Sequence, residues 1–221
     1  MKPPSSSSSS THGRGDGRGC TENHISRDEA PSHQMPYVHD QQWTLPAAVE
    51  IGDLTLVRQL LAAQADVEDH NILHRRPLHI AAKCGHSAVL QALLAANADI
   101  DAVDADNNTP LLLAVVAGEA QVVSILVREK ASIDAQNRYG VTPLMNAVAK
   151  QELAIVQLLI DSNASLNIQD THFGETALVT ALKTGNTEIV ALLAAAGADV
   201  DVMTAAGHTP AILAAKTGDE A

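Results

Sequence analysis

The chain copies itself at a fixed interval. Ala65-Asp66-Val67-Glu68 returns as Ala98-Asp99-Ile100-Asp101, Ala131-Ser132-Ile133-Asp134, Ala164-Ser165-Leu166-Asn167 and Ala198-Asp199-Val200-Asp201, at steps of 33, 33, 33 and 34. A second series keeps the same register: Arg76-Pro77-Leu78-His79, Thr109-Pro110-Leu111, Thr142-Pro143-Leu144, Thr176-Ala177-Leu178 and Thr209-Pro210-Ala211, at steps of 33, 33, 34 and 33. The one extra residue falls between Asn167 and Thr176, within residues 169–173. Such a unit is one supersecondary element that cannot bury its apolar face alone, so neighbouring copies must stack.

Each copy reads as two short helices. In the best one, Thr109 is an N-cap and Pro110 takes the first helical position, where a missing N–H costs nothing. Leu111, Ala114 and Val115 fall on one face, and Gly118 marks the stop. A second helix over about 120–130 carries Val122, Val123 and Leu126 on one face, with Arg128 and Lys130 in its last turn, where cations suit the helix dipole. Gly85, Gly185 and Gly218 repeat the Gly118 signal, but Gln151 takes its place in the third full copy, a weak point if that position needs a positive φ. Aromatics are 2% of the chain against 46% apolar residues, so the core must be Ala, Leu, Val and Ile. Small side chains let short helices nest closely.

The Thr-Pro-Leu-His phase and the Ala-Asp-Val-Asp phase at this period resemble the ankyrin repeat, over residues 43–221. The resemblance implies an all-α repeat solenoid, each copy a β-turn finger plus an antiparallel helix pair. The expected organisation is a disordered tail over 1–42, a capping repeat over about 43–70, full repeats over 71–103, 104–136, 137–170 and 171–203, and a partial repeat over 204–221. The last copy has no second helix, so Ile212 and Leu213 are expected to be partly uncovered, and the chain reads as a fragment or as one capped by another chain.

The tail is expected to be disordered because Ser5 to Ser10, the Gly-Arg alternation of residues 13–19 and the polar run to Asp40 hold too few large apolar residues to offset chain entropy. It carries a net charge of -1, which leaves -11 of the total -12 on the repeats. That acidity argues against direct nucleic-acid binding and against adhesion to anionic membranes. No apolar stretch is long enough for a membrane span or a secretory signal. Two cysteines, Cys20 and Cys84, make no disulfide framework. The expected location is cytoplasmic, with the nucleus as the alternative.

No catalytic, cofactor or metal constellation stands out. Arg14-Gly15-Asp16 resembles an integrin-binding tripeptide but lacks a secretory context, and the two tail arginines are too few for RNA. Asp99, Asp101, Asp104 and Asp106 lack the glycine and terminal glutamate of a calcium loop, and the first two recur with the repeat. The tail histidines His12, His24, His33 and His39 follow no ligand spacing. His79 is expected to be buried and to bond backbone between repeats, and Cys84 to be a tolerated, partly exposed thiol.

The resemblance implies a concave binding face made of the fingertips and the inner side of the first helices. Arg75, Lys83, Asp106, Asn108, Arg138, Tyr139, Lys150, His172, Phe173, Glu175, Lys183 and Lys216 fall there. Lys83, Lys150, Lys183 and Lys216 are four of the ten basic residues from position 43 onward, a local enrichment that favours an acidic segment on a partner. Tyr139 and Phe173 occupy equivalent fingertips, flanked by Arg138 and His172, and such side chains anchor interfaces. The alternative for the lysines is a solvated face, and for the aromatics packing of each finger on its neighbour. The expected function is a non-enzymatic scaffold or adaptor that binds protein. The alternatives are a regulatory segment of a larger enzyme or channel, or a regulator that binds a transcription factor.

Overall fold

The computed structural model describes residues 43–218, with side chains to residue 215. The tail, with its Arg-Gly-Asp tripeptide and its histidines, and the Lys216 side chain lie outside the described residues.

Eleven helices lie within the described residues: α1 (Leu45–Glu50), α2 (Leu54–Ala62), α3 (Pro77–Lys83), α4 (Ser87–Ala95), α5 (Pro110–Ala117), α6 (Ala120–Arg128), α7 (Pro143–Ala149), α8 (Leu153–Asp161), α9 (Ala177–Thr184), α10 (Thr187–Ala195) and α11 (Pro210–Gly218). Odd-numbered helices pack on one another in sequence, α1 on α3 through to α9 on α11, and even-numbered helices from α2 to α10 form a second row. This is the expected all-α stack of helix pairs. None of these helices is long and apolar enough to cross a membrane.

Local chemistry sets the first-row helices. The Oγ1 atoms of Thr109, Thr142 and Thr176 accept from the N–H groups of Leu112, Met145 and Val179 at 3.3, 3.3 and 3.4 Å. All three threonines are buried, so each cap also satisfies its own hydroxyl. Proline opens α3, α5 and α7, as expected. Leu78, Leu111, Leu144 and Leu178 recur in the first row and Leu93, Leu126, Leu159 and Leu193 in the second, and all are buried. The repeat period is thus a packing period.

Two details differ from the sequence expectation. In α5 the buried set extends beyond Leu111, Ala114 and Val115 to Leu112 and Leu113, because α3 and α7 cover it on both sides. Helix α6 ends at Arg128, and Lys130 lies past its end with φ 72°. There the Ala131 N–H returns to the Leu126 carbonyl at 2.9 Å, which turns the chain back so that Ala131 is buried. Asn97, Asn163 and Gly197 make the same turn, so this position is chosen for the left-handed region rather than for the dipole.

Gln151 does adopt a positive φ of 60°, where Gly52, Gly85, Gly118 and Gly185 stand in the other copies. Gln151→Gly should therefore raise stability by about 0.5–1 kcal/mol, the strain relieved less the extra entropy of an unfolded glycine. Urea denaturation measures it. A lower midpoint would mean that the Asn186 amide bond to Gln151 Oε1, at 3.4 Å, outweighs the strain.

Candidate functional site: the fingertip surface

Between helix pairs the chain projects turns, and one polar side chain shapes each turn. Asn71 Oδ1 accepts from the N–H groups of Leu73 and Arg75 (2.9 and 3.1 Å), and Asp104 Oδ1 from those of Asp106 and Asn108 (both 2.9 Å). Asn137 Oδ1 accepts from Tyr139 and Val141 (3.0 and 3.1 Å), and Asp170 from His172, Phe173 and Glu175 (2.8, 2.7 and 3.1 Å). At the fifth finger Thr204 Oγ1 accepts from His208 (3.2 Å). The residue before the last bond has a positive φ throughout: His74, Asn107, Gly140, Gly174 and Gly207.

The fingers are tied in series through backbone. The N–H groups of Ala105, Arg138, Thr171 and Ala205 donate to the carbonyls of Leu73, Asp106, Tyr139 and Phe173 at 2.9–3.1 Å. These bonds identify the extra residue. Thr171 matches Arg138 at a step of 33, and Phe173 matches Tyr139 at a step of 34. The inserted residue is His172. Its ring lies 5.5 Å from that of Tyr139 and 6.1 Å from that of Phe173, so the insertion joins two fingertip aromatics into one strip.

A cation flanks each end. The Arg138 guanidinium lies 4.7 Å from the Tyr139 ring centroid, donates to the Tyr139 hydroxyl, and pairs with Asp106 at 2.7 Å. Lys183 Nζ lies 5.9 Å from the Phe173 ring and pairs with Glu175. Tyr139 is 38% exposed and Phe173 65%. The strip is a surface feature, and neither ring is packed into the core.

Beyond Phe173 the surface sinks into a hollow of about 150 Å³, lined by Phe173, Glu175, Lys183, residues 204–206, His208 and Leu213. Leu213 is half-buried and Ile212 exposed, as expected for the last helix.

The other predicted residues divide. Arg75 Nε donates to Asp104 Oδ2 at 3.3 Å, and the Asn108 amide donates to both Asp104 oxygens at 3.1 and 3.2 Å. Burial alone would raise the Asp104 pKa, but the backbone N–H groups of Asn108 and Asp106, the Asn108 amide and Arg75 together hold it below the ordinary carboxylate value. Asn108 also takes a bond from the Asn137 amide at 3.3 Å. Arg75, Asn108 and Asp104 thus form a network that joins the first two fingers. Lys83 closes α3 half-buried, while Lys150 caps α7, is exposed, and makes no ion pair among the described residues. The structure brings together Arg138, Tyr139, His172, Phe173, Glu175 and Lys183, and leaves Arg75 and Lys83 apart from them.

His79 is wholly buried. Its Nδ1 accepts the Arg76 N–H at 3.2 Å, so Nε2 carries the proton and donates to the Asn108 carbonyl of the next finger at 3.0 Å. Burial pushes its pKa down, opposed by the bond to the Asn108 carbonyl, by Asp104 and by the Ala102 backbone.

Sequence reading passed over a second set of ties. Asp101 accepts from the Ser132 N–H and hydroxyl at 2.8 and 2.6 Å, and Asp134 from those of Ser165 at 2.9 and 2.5 Å. Asn167 accepts from the Asp199 N–H at 2.9 Å. The last residue of each Ala-x-x-Asp segment therefore holds the second residue of the next one, a pairing visible in sequence as a step of 31 or 32. The recurring aspartates are links between repeats.

A family model described as ankyrin repeats (3 copies) matches residues 45–137, 78–170 and 144–221, most of the chain. The chain belongs to the ankyrin-repeat family. A search of the curated proteins returns no match. Ankyrin repeats are in general protein–protein interaction modules.

Proposed function

We propose that this chain is a non-enzymatic scaffold or adaptor that binds a protein partner across its third to fifth fingers. One observation carries the reading: two exposed aromatic rings on neighbouring fingers, bridged by the inserted His172 and flanked by Arg138 and Lys183. Aromatic and Arg side chains supply most of the energy of interfaces, and these are exposed yet held in place by the turns beneath them. Tyr139 and Phe173 are the anchors. Arg138, Lys150, Lys183 and Lys216 steer an acidic segment of the partner against the negative charge of the rest of the chain. Asp106, Asn108 and Glu175 position this surface through Arg138, Asn137 and Lys183, and Arg75 steers from the first finger.

The test is the double variant Tyr139→Ala, Phe173→Ala. Partner capture by affinity purification and mass spectrometry from the native cell type should fall about 10- to 100-fold against the parent chain. The melting temperature should move little, since both rings are exposed. Unchanged capture with a large fall in melting temperature would assign both rings to stability instead.

A further inference from the structure

We infer that the hollow between the fourth and fifth fingers seats one apolar side chain of an extended partner segment, with an acidic residue of that segment lying toward Arg138. This deepens the interface reading above and rests on it.

The hollow is lined by Phe173, Ala205, Ala206 and Leu213 together with the polar Glu175, Lys183, Thr204 and His208. Its volume of about 150 Å³ suits a single leucine-sized side chain. It opens beside Phe173, the more exposed of Tyr139 and Phe173, so a chain that crosses Tyr139 and His172 runs on to it.

The charge of the flanking ion pairs chooses the rest of the occupant. In each pair the cation is the more exposed member: Arg138 53% against Asp106 43%, and Lys183 53% against Glu175 15%. Glu175 is largely covered while Lys183 is exposed, and Lys150, which makes no ion pair among the described residues, is exposed as well. A segment passing over this surface meets positive charge although the repeats as a whole are acidic. The steps of 4.7, 5.5 and 6.1 Å from Arg138 through the rings to Phe173 span at most about five residues of extended chain at ~3.3 Å per residue. The acidic residue therefore lies within about five positions of the apolar one.

The fifth finger offers a selective variant. Ala206 occupies the position filled by Asp106 in the second finger, by Tyr139 in the third and by Phe173 in the fourth, and it is exposed. That backbone accepts an aspartate, so Ala206→Asp places a carboxylate in the hollow without disturbing the turn.

The experiment pans a phage-displayed random dodecapeptide library on the immobilised full chain and measures the enriched peptides, made synthetically, by fluorescence polarisation. Enriched sequences should carry Leu, Met or Phe with Asp or Glu within about five positions. Their affinity should fall at least tenfold with Ala206→Asp and with the Tyr139→Ala, Phe173→Ala double variant. Peptides that need the two rings but ignore Ala206→Asp overturn the seat and leave the interface reading standing. Peptides that ignore both changes overturn both. A library that enriches basic or wholly polar sequences, or nothing, overturns the seat.

Discussion

Replacing His79 with alanine should destabilise the chain by about 3 kcal/mol, read as a shift in urea midpoint. The imidazole is fully buried and bonds two backbone groups on different repeats, the Arg76 N–H and the Asn108 carbonyl. Its removal leaves both without a partner, at about 1–3 kcal/mol for each buried group, and opens a cavity besides. His79→Gln restores part of this, because an amide can accept at one end and donate at the other. The effect depends on pH. Burial holds the folded pKa of His79 below its ordinary 6.5. The neutral ring therefore contributes fully above about pH 6.5, and that contribution is lost as pH falls through the folded value. Asp104 has the same sign in a lower window: its contribution is present above the ordinary 3.8 and is lost as pH falls through its depressed folded value. The stability gap between the parent chain and His79→Gln should narrow between pH 8 and pH 5. An equal gap at both would mean that the ring is not held neutral by burial.

Leu111→Ala should cost about 3–4 kcal/mol, within the usual range for a buried leucine. Leu111 is wholly buried in α5, which α3 and α7 cover on either side, so the neighbours have little room to collapse. The loss falls on two interfaces between repeats at once. Because a stack is held by nearest-neighbour terms, weakening its middle also lowers cooperativity. Calorimetry should show a broader transition at a lower temperature. Phe173→Ala, with its ring exposed, should stay within about 0.5 kcal/mol of the parent. A comparable loss at both positions would refute the division between a buried core and a surface strip.

Much of the fold was legible before any coordinates. Thr109, Thr142 and Thr176 announced their caps, Pro110 and Pro143 the helix starts, and Gln151 its left-handed backbone, because each follows from a residue's own geometry and its place in the repeat. The Lys130 expectation failed for a related reason. Dipole chemistry favoured a helical lysine, but the turn that buries Ala131 ends the helix two residues before it. The candidate site was legible only as a list. Tyr139 and Phe173 could be placed at matching fingertips, but Arg75 and Asn108 looked equally available and proved to be committed to buried Asp104.

By itself the sequence determined the register of the copies and the helix pair within each full one, since a 33-residue period with caps and stops at fixed phases admits one local construction. Only the tertiary structure decided that His172 is the inserted residue, that its ring joins two aromatics, and that each flanking cation is the more exposed member of its pair. The Tyr139–His172 contact and the Arg138–Asp106 pair join side chains about one repeat apart in the chain. Their meeting depends on how one turn leans on the next, which spacing alone does not encode.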